Sequence, residues 1–192
     1  MRRTPMQAPA RWAATLVGAL LLAYGLVASA AEKEAVYGIW ATSGTMIEVG
    51  PAEDGGLSAR IIALKNPRWR EKDGIGVVGE PKTDLHNPDE SLRERPFIGL
   101  EMLSNYEFKN GKWRGKLYLP SNGSTWTSTA QLKKGVLQIR GYVAVPMLGK
   151  TQKFQPLASC NENILRMLRQ AEMTGTPCDA ALTASAAAAE AN

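Results

Sequence analysis

Residues 102–143 read MLSNYEFKNGKWRGKLYLPSNGSTWTSTAQLKKGVLQIRGYV, and the dipeptides Asn110-Gly111, Asn122-Gly123 and Lys134-Gly135 divide them into runs of strand-favouring residues. A two-residue type I′ turn needs positive φ at both positions, which Asn-Gly adopts with little strain. Such a turn also fixes which residues lie opposite each other. Across Asn110-Gly111 it sets Phe108 against Trp113, Tyr106 against Gly115, Ser104 against Leu117 and Met102 against Leu119. Across Asn122-Gly123 it sets Leu119 against Trp126, Leu117 against Ser128, Gly115 against Ala130 and Trp113 against Leu132. If Lys134-Gly135 is a third such turn, Leu132 meets Leu137, Ala130 meets Ile139, Ser128 meets Gly141 and Trp126 meets Val143. All three turns select the same inward face. The other face carries Glu107, Arg114, Lys116, Thr125, Thr127, Thr129, Gln131, Gln138 and Arg140, as a face turned to water would.

The inward face is layered. Phe108, Trp113, Leu132 and Leu137 make a bulky tier, and Tyr106, Gly115, Ala130 and Ile139 a mixed one. Ser104, Leu117, Ser128 and Gly141 are mostly small, and beyond them Met102, Leu119, Trp126 and Val143 are bulky again. Outward from this stretch, residues 35–155 show no helical period. They read as strands at 36–42, 45–50, 57–64, 98–108, 112–119, 124–132, 136–143 and 149–155, separated by Gly, Asn, Asp and Pro. The expected fold is all-β: an eight-stranded antiparallel barrel that either fills its interior or encloses one small ligand. The small tier, Leu117, Ser128 and Gly141, is where a cavity would lie, with Trp126 and Met102 beyond it, unless large side chains such as Trp40 fill that space.

The ends of the chain set its compartment. Arg2, Arg3 and Arg11 precede an apolar stretch from Trp12 to Val27, followed by Ala28-Ser29-Ala30. This fits a secretory signal cleaved after Ala30, the apolar core being short for a spanning helix and broken by Gly18, Tyr24 and Gly25. Cleavage removes three of the 23 basic residues and none of the 18 acidic ones, leaving a formal charge of +2. No basic stripe marks a nucleic-acid surface, and no membrane association is expected after cleavage. In an oxidising periplasmic or secreted setting, Cys160 and Cys178 are expected to pair, closing 161–177 into a loop and stabilising it by about 3 kcal/mol. Their spacing is unlike the Cys-x-x-Cys of redox centres. Between them Ile164, Leu165, Leu168 and Ala171 have the spacing of a short amphipathic helix over 161–173. The expected organisation is a signal at 1–30, the barrel at 31–157, a disulfide-closed helical segment at 158–178 and a disordered Ala-rich tail at 179–192.

The chain resembles a family of secreted bacterial proteins, domain-of-unknown-function family 2147, itself similar to the calycins and lipocalins. The residues that carry the resemblance are Gly38-Ile39-Trp40, Asp84, Asn87-Pro88-Asp89, Leu92-Arg93, Arg95-Pro96 and Gly99-Leu100. They continue with Trp113, Gly115-Lys116, Tyr118, Pro120, Asn122-Gly123, Leu137, Arg140-Gly141-Tyr142 and Leu148-Gly149, so that the match runs from Val36 to about Pro156. Leu119 stands where the family usually has Asp before the Pro, and Phe154 where it tends to place Trp. The resemblance implies an exported β-barrel in which Trp40 closes the base. It brings no activity.

The densest polar segment is Asp84 to Leu100, DLHNPDESLRERPFIGL. Asn87-Pro88-Asp89 reads as a turn, with Asp89 capping a short helical segment over 90–93. Asp84, Asp89, Arg93 and Arg95 either hold this connection onto the barrel end, or Arg93, Arg95 and Asp84 face the barrel mouth to bind a polar or anionic head group, for which a guanidinium fork is suited. His86, the only histidine, reads as a surface residue, and the ligand sets of zinc and EF-hand calcium sites are lacking; neither metal nor cofactor is expected. The long connection 65–83 carries Trp69, placed to cover an opening or contact a partner. The reading reached is a non-catalytic protein that binds a small apolar or amphipathic ligand. The alternatives are an envelope protein-interaction module with a filled core, and a hydrolase acting through Asp84, Asp89 or Glu101.

Overall fold

The computed structural model describes residues 32–143 and 146–190; the expected signal at 1–30 lies outside them. The strands are β1 (Gly38–Ala41), β2 (Thr45–Pro51), β3 (Leu57–Leu64), β4 (Leu103–Lys109), β5 (Lys112–Leu119), β6 (Ser124–Lys133), β7 (Val136–Tyr142) and β8 (Lys150–Pro156). All neighbours are antiparallel in one eight-stranded sheet of order β3-β2-β1-β8-β7-β6-β5-β4. Curling brings its two edges together: Gly99 N–H donates to Ile61 O (2.8 Å), Ile61 N–H to Leu100 O (3.1 Å) and Met102 N–H to Ala59 O (2.8 Å). Gly99 to Met102, expected as the start of β4, thus form the seam that nearly closes the barrel.

Two of the three turns are as expected. Asn110 and Gly111 have φ of 52° and 69°, Lys134 and Gly135 of 52° and 72°, and the pairs Phe108/Trp113, Leu132/Leu137, Ala130/Ile139 and Ser128/Gly141 all form. The third turn is longer. Leu119 pairs with Ser124 across Pro120–Gly123, and only Gly123 has positive φ, 68°. Pro120 is the cause, since a two-residue turn would put it in the ladder, where it has no N–H to donate. The expected pairs slide by two residues, to Leu117/Trp126, Gly115/Ser128 and Trp113/Ala130. A two-residue slip preserves the face of every side chain, so the inward set survives.

A second correction lies in β4, where the expected Ser104/Leu117 pair is replaced by Leu103/Leu117. Asn105, at φ 54°, and Tyr106 together oppose Gly115, forming a bulge. A Cβ on Gly115 would lie 2.3 Å from Tyr106 Cδ2, so the missing side chain makes room for the Tyr106 ring. A bulge also interrupts β3, where Ile62 is the extra residue between the pairs Ile47/Ile61 and Met46/Ala63. It turns Leu64 toward the interior and Ala63 outward.

The interior is filled around Trp40, Ile47, Leu57, Ile61, Tyr106, Trp113, Leu137, Ile139 and Phe154. Three expected inward residues are corrected: Ser104 is exposed, its place opposite Leu117 taken by buried Leu103, Leu132 is 39% exposed beside its turn and Val143 is 65% exposed just past the end of β7. A second cluster lies outside the barrel, where Ile164, Leu165, Met167 and Leu168 of helix α1 (Glu162–Gln170) cover Ala41, Met46 and Ala63. Asn161 caps α1 by accepting Ile164 N–H, and Cys160 is bonded to Cys178. Contrary to the expectation of a disordered tail at 179–192, residues Asp179–Glu190 form helix α2. The alanines do have something to pack against: buried Cys178 delivers Ala181 and Leu182 to the α1 cluster, and the Asp179 carboxylate accepts the N–H groups of Gly175 and Thr176.

Candidate ligand-binding cavity

The two ends of the barrel differ. At the end of the 110–111 and 134–135 turns, Phe108 packs edge-on against Trp113 (5.3 Å between centroids), whose Nε1–H donates to Lys33 O. Trp40 Nε1–H donates to Val36 O at 2.8 Å, and its ring is 6% exposed. This end is shut. At the other end a cavity of about 490 Å3 opens between the β1–β2 turn, the Pro120–Gly123 turn and the start of β8. Its wall is mainly apolar, with Ile61, Leu64, Phe97, Met102, Leu117, Leu119, Trp126, Ile139 and Phe154, and its polar lining includes Thr42, Thr45, Ser121, Asn122, Lys150 and Gln152. Below it the barrel is solid: Tyr106 reaches across and its hydroxyl hydrogen-bonds Ser128 Oγ, both residues being buried. Burial pushes the Tyr106 hydroxyl up to about 12, while the bond to Ser128 pulls the other way.

Met102, Leu117, Trp126 and Gly141 line the cavity. Ser128 does not, because Tyr106 occupies the space over it. Gly141 leaves room for Trp126, since a Cβ there would sit 3.4 Å from Trp126 Cε3.

Asp84, Arg93 and Arg95 are also absent from the lining. The fully buried Asp84 carboxylate accepts from Tyr118 Oη (2.7 Å), Asn87 Nδ2 (2.7 Å) and the Arg95 guanidinium (2.8 and 2.9 Å). Arg93 donates to Asn87 O (2.9 Å) and pairs with Glu90, and Asp89 accepts Ser91 N–H (3.0 Å). Arg95 also lies over the Tyr118 ring, 5.4 Å from its centroid. Burial, then the Asp84 carboxylate, push the Tyr118 hydroxyl up to about 12. Asp84, Asn87, Asp89, Arg93 and Arg95 are each answered by another group of the same segment or by Tyr118 of β5, so the segment is a clasp. It seats the mouth turn as well: a Cβ on Gly123 would fall 1.9 Å from His86 O, so only glycine allows this approach. His86 itself is exposed, as is Pro88. Gly38 (φ 132°) opens β1 and Gly99 (φ 90°) turns into the seam.

Connection 65–83 braces one wall. Trp69 is 6% exposed and meets Phe97 edge-on at 6.0 Å, with Lys82 Nζ 5.0 Å from its ring centroid. Glu101, named in the hydrolase alternative, accepts from Ser58 Oγ (2.6 Å) and Ala59 N–H (2.7 Å) at the seam. Asp84, Asp89 and Glu101 face no common cleft. Among the described residues no group of three or more His, Cys, Asp or Glu is placed to hold a metal ion.

Most of the other lining residues escaped the sequence reading, Lys150 and Gln152 among them. Lys150 pairs with Gly141 and Gln152 with Ile139, so both take inward register positions on β8. The signal was available in the alternation Lys150, Gln152, Phe154, but no two-residue turn fixes β8 against β7.

Fold and cavity together define a lipocalin-like β-barrel. The model of the bacterial family described as uncharacterized protein conserved in bacteria (DUF2147) matches residues 38–155, and the chain belongs to that family. Among solved structures the chain is similar to protein HP1028 from the human pathogen Helicobacter pylori, described as belonging to the lipocalin family. Identity is 19% and the TM-score 0.51, with 73% of this chain and 91% of that chain covered. At that identity the likeness shows the fold alone. No curated protein matches the chain.

Proposed function

We propose that this is an exported, non-catalytic binding protein of the periplasm that takes a small apolar or amphipathic molecule into the mouth of its barrel. The observation that carries the reading is the 490 Å3 cavity, whose apolar wall and few polar rim groups are what a small-molecule site requires. Export rests on the charged-then-apolar leader and its Ala28-Ser29-Ala30 end, together with the Cys160–Cys178 bond, which suits an oxidising compartment. A non-catalytic role is supported by the engagement of Asp84, Asp89 and Glu101 in structural hydrogen bonds away from the cavity.

Native mass spectrometry of protein purified from its own periplasm tests the reading. A co-purifying small molecule, lost on denaturation, is the expected result. Repeated recovery of an empty protein that also takes up no apolar probe would count against it. A second reading, contact with an envelope protein, is favoured by Val77 and Val78, 70% and 65% exposed on connection 65–83. Crosslinking from position 77 in the periplasm should then capture one discrete partner.

A further inference from the structure

The polar groups of the cavity are graded along one strand. Lys150, Gln152 and Phe154 are alternate residues of β8, paired with Gly141, Ile139 and Leu137, so they project from one face of the strand toward the interior. Phe154 is buried in the core, Gln152 stands nearer the mouth, and Lys150 is at the rim. Lys150 is the only charged residue of the cavity lining among the described residues. It forms no ion pair among them either. An ammonium at an inward register position has no structural partner here, unlike Arg93 and Arg95, whose guanidinium groups are used by the clasp.

We infer that the cavity selects its occupant by head-group charge: an amphiphile with a carboxylate or phosphate head, held by Lys150 at the rim, and its apolar chain lying against Leu117, Trp126 and Phe154. The inference rests on the cavity being a ligand site. The flexible arm of lysine lets its ammonium follow a head group at a wet rim, and Gln152 and the rim hydroxyl of Thr45 add neutral hydrogen bonds. Because the rim is solvated, the charge adds a modest selectivity to affinity that comes mainly from burying the chain.

Calorimetric titration with decanoate, decyl phosphate, decan-1-ol and decyltrimethylammonium at neutral pH decides it. At least one of the two anions should bind about fivefold more tightly than the alcohol, and the cation more weakly, with the preference shrinking as salt is raised. The two anions distinguish a carboxylate from a phosphate source. Lys150→Met should remove the advantage of the anion over the alcohol, bringing the two to one affinity, and Lys150→Glu should favour the cation. Equal binding of anions and alcohol by the unsubstituted protein, or a preference that survives Lys150→Met, overturns the inference while leaving the cavity a ligand site. If no decyl compound binds, both the inference and the cavity reading fall.

Discussion

Asp84 shows how a residue with the chemistry of a catalytic or binding group is consumed by structure. Its carboxylate is fully buried, and its hydrogen bonds come from Tyr118, Asn87 and Arg95, of which Arg95 keeps part of its guanidinium in water. Asp84→Ala would leave a hydroxyl, an amide and a guanidinium without their acceptor, and should lower stability by about 3 kcal/mol in urea unfolding with an unchanged m value. The tyrosines make a second prediction. Both Tyr106 and Tyr118 hold their protons up to about 12, against 10.0 for a free side chain, so the folded state binds those protons more tightly than the unfolded chain. The associated stability is fully present below about pH 10 and is lost as pH rises through 12. A spectrophotometric titration should find these hydroxyls ionising late, together with loss of folded structure. The sequence allowed Asp84, Asp89, Arg93 and Arg95 to hold their connection onto the barrel end by hydrogen bonds and ion pairs, but it did not say which partner each takes, because that is fixed only when β5 brings Tyr118 alongside.

At the scale of elements, short-range chemistry was legible and long-range support was not. Asn110-Gly111 and Lys134-Gly135 turn as their residue types require, since both positions need positive φ. Asn122-Gly123 does not, because Pro120 ends the ladder two residues earlier, and the parity of the sheet hides the difference from the burial pattern. The bulges at Asn105 and Ile62 had no sequence signal as plain as a glycine. Tyr106 needs the gap left by Gly115, and Leu64 and Ala63 sort themselves between cavity and α1 only once both are present. Helix α1 was legible from its apolar spacing, whereas α2 depends on the Cys160–Cys178 bond that delivers Ala181 and Leu182 to the same cluster. Reduction, or the Cys160→Ser/Cys178→Ser pair, should cost about 3 kcal/mol. In far-UV circular dichroism, helical signal should be lost at lower temperature than the β signal, as α1 and α2 leave the outer face of a barrel that keeps its own core.

For the whole molecule the division is between a filled half and a hollow half. Tyr106 closes over Ser128 in the middle of the barrel, so the lower interior is packed with aromatic and branched side chains while the upper opens as the cavity. Gly141→Leu should place a side chain between Leu117 and Trp126 and weaken binding of decan-1-ol at least tenfold. Thermal unfolding should show the fold retained, because the new Cβ meets Trp126 and Leu117 at 3.4 and 3.6 Å, ordinary contact distances, the outer atoms extend into the cavity, and no buried hydrogen bond is broken. By itself the sequence determined the antiparallel barrel, its inward face and the bonded cysteines: turn chemistry and period-two alternation are local, and a slip of two residues leaves them intact. Only the tertiary structure decided that Arg93 and Arg95 belong to a clasp, that Tyr106 plugs the small tier, and that Lys150 and Gln152 line the mouth. Those outcomes depend on which side chains from distant strands meet, and on a volume left unfilled when they do.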